Sequence, residues 1–107
     1  MSSRLVTLMA TAMLAGMAYA DCPEPTAPAR IPDGKTASKE EMVTAMQILK
    51  QYDSDVTTYT KCLDFEARQS RLTGERSAHL QETALGNLKA VADKFNAQVR
   101  VFKVRTG

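Results

Sequence analysis

The sequence predicts an all-α protein: an antiparallel two-helix hairpin with an extended, proline-rich N-terminal arm pinned by a disulfide. Three observations carry that prediction. All four prolines fall between residues 23 and 32. Two long stretches follow, divided at Thr73-Gly74, in which apolar residues recur at steps of three and four. Such spacing collects apolar side chains on one stripe of a helix. The chain also has two cysteines, Cys22 ahead of the prolines and Cys62 within the first helical stretch.

Residues 1–20 read as a cleavable secretory signal peptide. Arg4 is their only charge, an apolar run extends from Leu5 to Gly16, and Ala18-Tyr19-Ala20 supplies the small residues a signal peptidase reads. A membrane span needs ~20 apolar residues, more than this run provides. Asp21 precedes Cys22, whereas a lipid-modified cysteine normally follows a small residue. Soluble export is therefore expected, to a periplasm or the outside, with the mature chain starting at about Asp21. Removing 20 of the 107 residues leaves 87. The formal charge falls from +2 to +1 with the loss of Arg4. A near-neutral chain implies neither nucleic acid nor an acidic partner. Four of the six methionines also leave, so they are not a ligand-binding stripe.

Residues 21–37 form the arm. Pro23, Pro25, Pro28 and Pro32 fix φ and remove hydrogen-bond donors, which favours an extended, polyproline-like conformation. Pro32-Asp33-Gly34 is a turn signal. Residues 38–107 form the hairpin, with helices over about 39–70 and 75–103. Ser38 and Glu41 have capping-box spacing at the first start. The first stripe runs Met42, Ala45, Leu49, Tyr52, Val56, Tyr59 and Leu63; Val56, Thr57, Thr58 and Thr60 lower its intrinsic propensity. The second stripe is expected at Ala78, Leu85, Leu88, Ala92, Phe95, Val99 and Phe102, flanked by Ala84 and Val91. Val99 to Arg105 is rich in β-branched residues but has no partner strand, so it is read as the fraying end of the second helix. Helices of similar length on a short link pair antiparallel.

An exported chain with two cysteines is expected to bridge them; a redox pair would be closer in sequence, and zinc wants more ligands. As polyproline, Cys22 to Ser38 spans ~50 Å, against ~36 Å of helix from Ser38 to Cys62. The arm therefore reaches back along the first helix. Ala27, Pro28 and Ile31 are expected against the flank that carries Ile48, with Phe65 beside Cys62.

The proline arm, the Pro-Asp-Gly turn, the Ser38 cap with Glu41-Met42, and Tyr59 with Cys62 one turn apart resemble a group of small, uncharacterised exported bacterial proteins. The resemblance covers roughly residues 22–66. It implies the fold and no activity.

Candidate chemistry is sparse. Glu75, His79 and Glu82 share one face of the second helix and could hold a metal ion; the competing reading is a solvated face near a helix N-terminus. Asp53 and Asp55 are two apart and point to different faces, with Asp55 placed towards Arg30 of the arm. Arg100, Phe102, Lys103 and Arg105 make a basic, apolar end that could meet an anionic membrane surface, or simply complement the helix C-terminus. Tyr52 and Tyr59, a heptad apart, read as core. There is no Ser/His/Asp set, no Gly-rich phosphate loop and no C-x-x-C. No enzyme activity and no cofactor are expected. A thin hairpin leaves Val43, Met46, Leu80 and Val91 partly exposed, which suggests self-association or an unidentified protein partner for an envelope protein of interaction or chaperone-like type. The alternative is a metal- or small-ligand-binding periplasmic protein.

Overall fold

The computed structural model describes residues 22–107. The signal peptide read at residues 1–20 and the mature start at Asp21 lie outside the described residues. Two helices make up the body, α1 (Lys39–Arg68) and α2 (Gly74–Thr106), and no strand occurs among the described residues. The helices pack on each other as the expected hairpin. α1 ends two residues earlier than the expected boundary, and α2 runs three further. Residues 99–105 are helical, as their lack of a partner strand required.

Each helix starts at a side-chain cap. Ser38 Oγ accepts from the Glu41 N–H at 3.1 Å, and Glu41 Oε1 accepts from the Ser38 N–H at 2.8 Å. That closes the capping box and satisfies two otherwise orphaned donors. Thr73 Oγ1 accepts from the Arg76 N–H at 3.0 Å and starts α2. The weak helix formers of α1 do not interrupt it. Thr60 turns its hydroxyl to the Thr57 carbonyl at 3.0 Å, and Val56 is fully buried. Packing of the apolar face outweighs a few tenths of a kcal/mol of propensity per residue.

The link between the helices is a Schellman turn. The Arg71 N–H reaches the Glu66 carbonyl at 3.0 Å and the Ser70 N–H reaches the Ala67 carbonyl at 3.1 Å. The left-handed position belongs to Ser70, with φ 60°, and not to Gly74, which is already helical. Arg71 then turns back over the link. Its Nε donates to Glu66 Oε1 at 2.7 Å and its Nη2 to Glu66 Oε2 at 2.8 Å, while the guanidinium lies 5.7 Å from the Phe65 ring centroid.

The core is one seam in two parts. Near the link, Cys22, Tyr52, Val56, Tyr59 and Leu63 meet Ala84, with Leu80, Leu88 and Val91 packed around them. At the open end, Ala37 and Met42 meet Phe95, with Ile31, Ala45, Val99 and Phe102 alongside. The stripe of α1 is as expected, and both tyrosines are core. The stripe of α2 differs in its first half. Ala78 and Leu85 are exposed, whereas Ser77 is buried and Leu80 and Val91 pack against the core. Two apolar rows a residue apart compete there. The wide anchors Leu88 and Phe95 select the row through Ala84 and Ser77, whose small side chains let the helices close up beside the link.

Cys22 and Cys62 are bridged, with Cα atoms 5.5 Å apart, inside the ~7 Å limit for a disulfide. The arm folds back as expected, with Pro28 and Ile31 on the side that carries Ile48, but it covers less of that flank than expected. Cys22 is buried, Pro25, Pro28 and Ile31 are half-buried, and Gly34 and Ala37 are buried. These positions repeat every third residue, the period of a polyproline helix. Ala27 falls off that period and is exposed. Ile48 and Phe65 also stay about half exposed. The arm does not close down on the Ile48 flank of α1, because its two ends are fixed over the groove. Cys22 enters the core near the link, and Gly34 docks on α2 at Gln98.

Candidate functional site

The Pro-Asp-Gly turn is the most constrained part of the arm. The Asp33 carbonyl accepts from the N–H groups of Thr36 at 3.1 Å and Ala37 at 2.8 Å. Asp33 Oδ1 accepts from the Lys35 N–H at 2.9 Å. The turn then meets the last turns of α2. The Gly34 N–H donates to Gln98 Oε1 at 2.8 Å, Arg105 Nε donates to the Gly34 carbonyl at 3.0 Å, and Arg105 Nη2 donates to the Ala37 carbonyl. Arg105 also lies 5.2 Å from the Phe102 ring centroid. Of the four residues that could have met a membrane surface, Phe102 and Arg105 thus have structural partners within the molecule. Arg100 and Lys103 are exposed.

The Glu75, His79 and Glu82 face is solvent-exposed. No group of three or more His, Cys, Asp or Glu side chains among the described residues is placed to hold a metal ion. Residues at i, i+4 and i+7 share a face, but the ends of that row lie a full two turns apart along the axis. Asp55 accepts from Gln51 Nε2 at 2.8 Å within α1 and does not turn to Arg30.

Among the described residues, three ionisable groups depart from their ordinary behaviour, each through a local contact. The Ser38 backbone N–H, helped by its hydroxyl, holds the Glu41 carboxyl below the usual range. Arg71 does the same for Glu66, mainly through its hydrogen bonds and against the effect of burial. Asp93, 2.8 Å from Lys89 Nζ, raises the Lys89 ammonium. These pairs hold helix ends and faces together.

Two surfaces remain. The first is a cleft of about 690 Å³ between the arm and the hairpin, walled by Pro28 and Ile31 of the arm and Thr44 and Ile48 of α1, with Leu49, Val91 and Phe95 at its floor. The second is the opposite, open side of the hairpin. At ~100° per residue, Val43 and Met46 project away from Ile48, and Leu85 projects away from Lys94, which borders the arm. In an antiparallel pair those two flanks adjoin. Val43 and Met46 are each 40% exposed and Leu85 is 51% exposed. Leu85 was missed as a surface residue because it fits the competing apolar row. The docking role of Gln98 and Arg105 has no motif in the sequence, and the reach of the arm pointed only to the first helix.

Comparison of the chain with protein-family models, with curated proteins and with solved structures gives no match. No helix among the described residues is long and apolar enough to cross a membrane.

Proposed function

We propose that this chain is a small exported, non-enzymatic protein of the cell envelope that binds a protein client through the open face of its hairpin, in the manner of a chaperone. The observation that carries this reading is the exposure of Val43, Met46 and Leu85 on the side the arm leaves bare. Large apolar side chains left bare along one side of a hairpin offer a partner apolar surface to cover. Met46 also suits a varied partner, because its unbranched thioether repacks easily. The Cys22–Cys62 bridge fits an oxidising compartment, where such bridges persist.

The test is light scattering from a thermally aggregating model client, with the oxidised chain added in molar excess. Scattering should fall, and a Val43→Ser/Met46→Ser variant should protect less while keeping its helical circular dichroism. Unchanged scattering at molar excess would sink the proposal.

A further inference from the structure

The cleft beneath the arm has features the open face lacks. Its volume of about 690 Å³ falls within the ~300–1,000 Å³ typical of small-molecule sites. Three chain segments border this open cleft, and the arm that forms one wall is held by the disulfide at one end and the Gly34 dock at the other. Its floor is apolar, and Ile48 stands 49% exposed at its edge. An isoleucine in that position offers an apolar body a surface to lie against.

The rim decides the charge of that body. Asp33, Glu40 and Glu41 border the cleft, against one cation, Arg30. The Ser38 N–H, bound to the Glu41 carboxylate, holds that carboxyl below the usual range. The N-terminus of α1 adds roughly half a positive charge. Carboxylates still exceed cations around the opening. Lys94 borders the far side of the arm and Lys39 another hollow, and neither lines this cleft.

We infer that the arm-side cleft is a binding site for a small cationic amphiphile, a molecule with an aliphatic or aromatic body and an ammonium head. The body lies over Leu49, Val91 and Phe95 against Ile48, and the head group meets Glu40 at the rim. This site is separate from the open face, so its fate does not depend on client binding.

The experiment is a methyl-resolved NMR titration of the oxidised chain with n-octylammonium and, separately, n-octanoate. Octylammonium should shift the methyl signals of Ile31, Ile48, Leu49 and Val91 saturably, and octanoate should bind several-fold more weakly. Glu40 is exposed, so Glu40→Gln leaves the fold intact. It should loosen octylammonium about two- to five-fold, the value of one surface ion pair, without loosening octanoate. Octanoate binding as tightly as octylammonium, an unaltered affinity in Glu40→Gln, or shifts confined to Val43, Met46 and Leu85 would each overturn the inference. So would the absence of any saturable shift.

Discussion

A methyl group added at position 34 would sit 2.3 Å from the Gln98 carbonyl oxygen and 2.8 Å from the Phe102 nitrogen. Both are backbone atoms of a helix and have nowhere to go. The glycine is therefore required by close approach, not by a left-handed φ, since no described glycine has positive φ. This approach lets the Gly34 N–H reach Gln98 and lets Arg105 hold the Gly34 carbonyl. Gly34→Ala forces the turn off α2. Overpacking of this kind costs about 1–3 kcal/mol, and the loss of the docked turn adds to it. Urea unfolding should show a midpoint lowered accordingly. A midpoint within error of the parent would mean that the turn does not rest on α2. The turn itself was legible in Pro32-Asp33-Gly34. Its docking was not, because a local signal cannot say what the backbone will approach 64 residues later.

At the scale of the helices, two positions carry residues that would serve better exchanged. Ser70 holds the left-handed position of the Schellman turn, where a side chain costs ~1–2 kcal/mol. Gly86 lies inside α2, where a Cβ would meet nothing within 4 Å, and glycine there costs ~1 kcal/mol relative to alanine. Ser70→Gly and Gly86→Ala should each raise stability by about 0.5–1 kcal/mol, visible as a higher midpoint in thermal unfolding. The sites share no contact, so the double variant should show the sum. A loss of stability in Gly86→Ala would mean that the open face beside Leu85 is covered in solution. The helices were legible because their apolar spacing is long and their caps are local. The face α2 buries was legible from Leu88 onward but not in its first half, where two rows one residue apart are equally apolar and only packing against α1 separates them. The arm's period of three, at Cys22, Pro25, Pro28 and Ile31, was present in the sequence. It matches neither the period of 3.6 that marks a helix nor the period of 2 that marks a strand. The candidate site was least legible of all. The cleft belongs to no single segment, and its lining comes from three parts of the chain that meet only after the arm folds back.

The whole molecule is a thin hairpin with a tethered third layer, and the tether is unevenly fixed. No hydrogen bond ties residues 22–32 to the helices among the described residues. That stretch is held by the burial of every third side chain and by the bridge at Cys22. The turn beyond it is held by Gln98 and Arg105, which do not depend on the bridge. Reduction should therefore free the arm from Cys22 to about Ile31 while the turn stays docked. The bridge closes a loop 40 residues apart in sequence, which the loop-entropy account values at about 4 kcal/mol. A domain of this size has little stability to spare. Treating the protein with a dithiol should lower the unfolding free energy from urea titration by roughly that amount, with a lower midpoint, and leave the far-ultraviolet helical signal intact in the absence of denaturant. The near-ultraviolet tyrosine signal should weaken, because Tyr52 and Tyr59 belong to the same buried cluster as Cys22. The mass in solution should not change, since the bridge lies within one chain. Collapse of the helical signal on reduction would show that the arm is part of the core and not a layer over it. An unaltered midpoint would show that the buried period of three holds the arm alone, with the bridge contributing nothing beyond it.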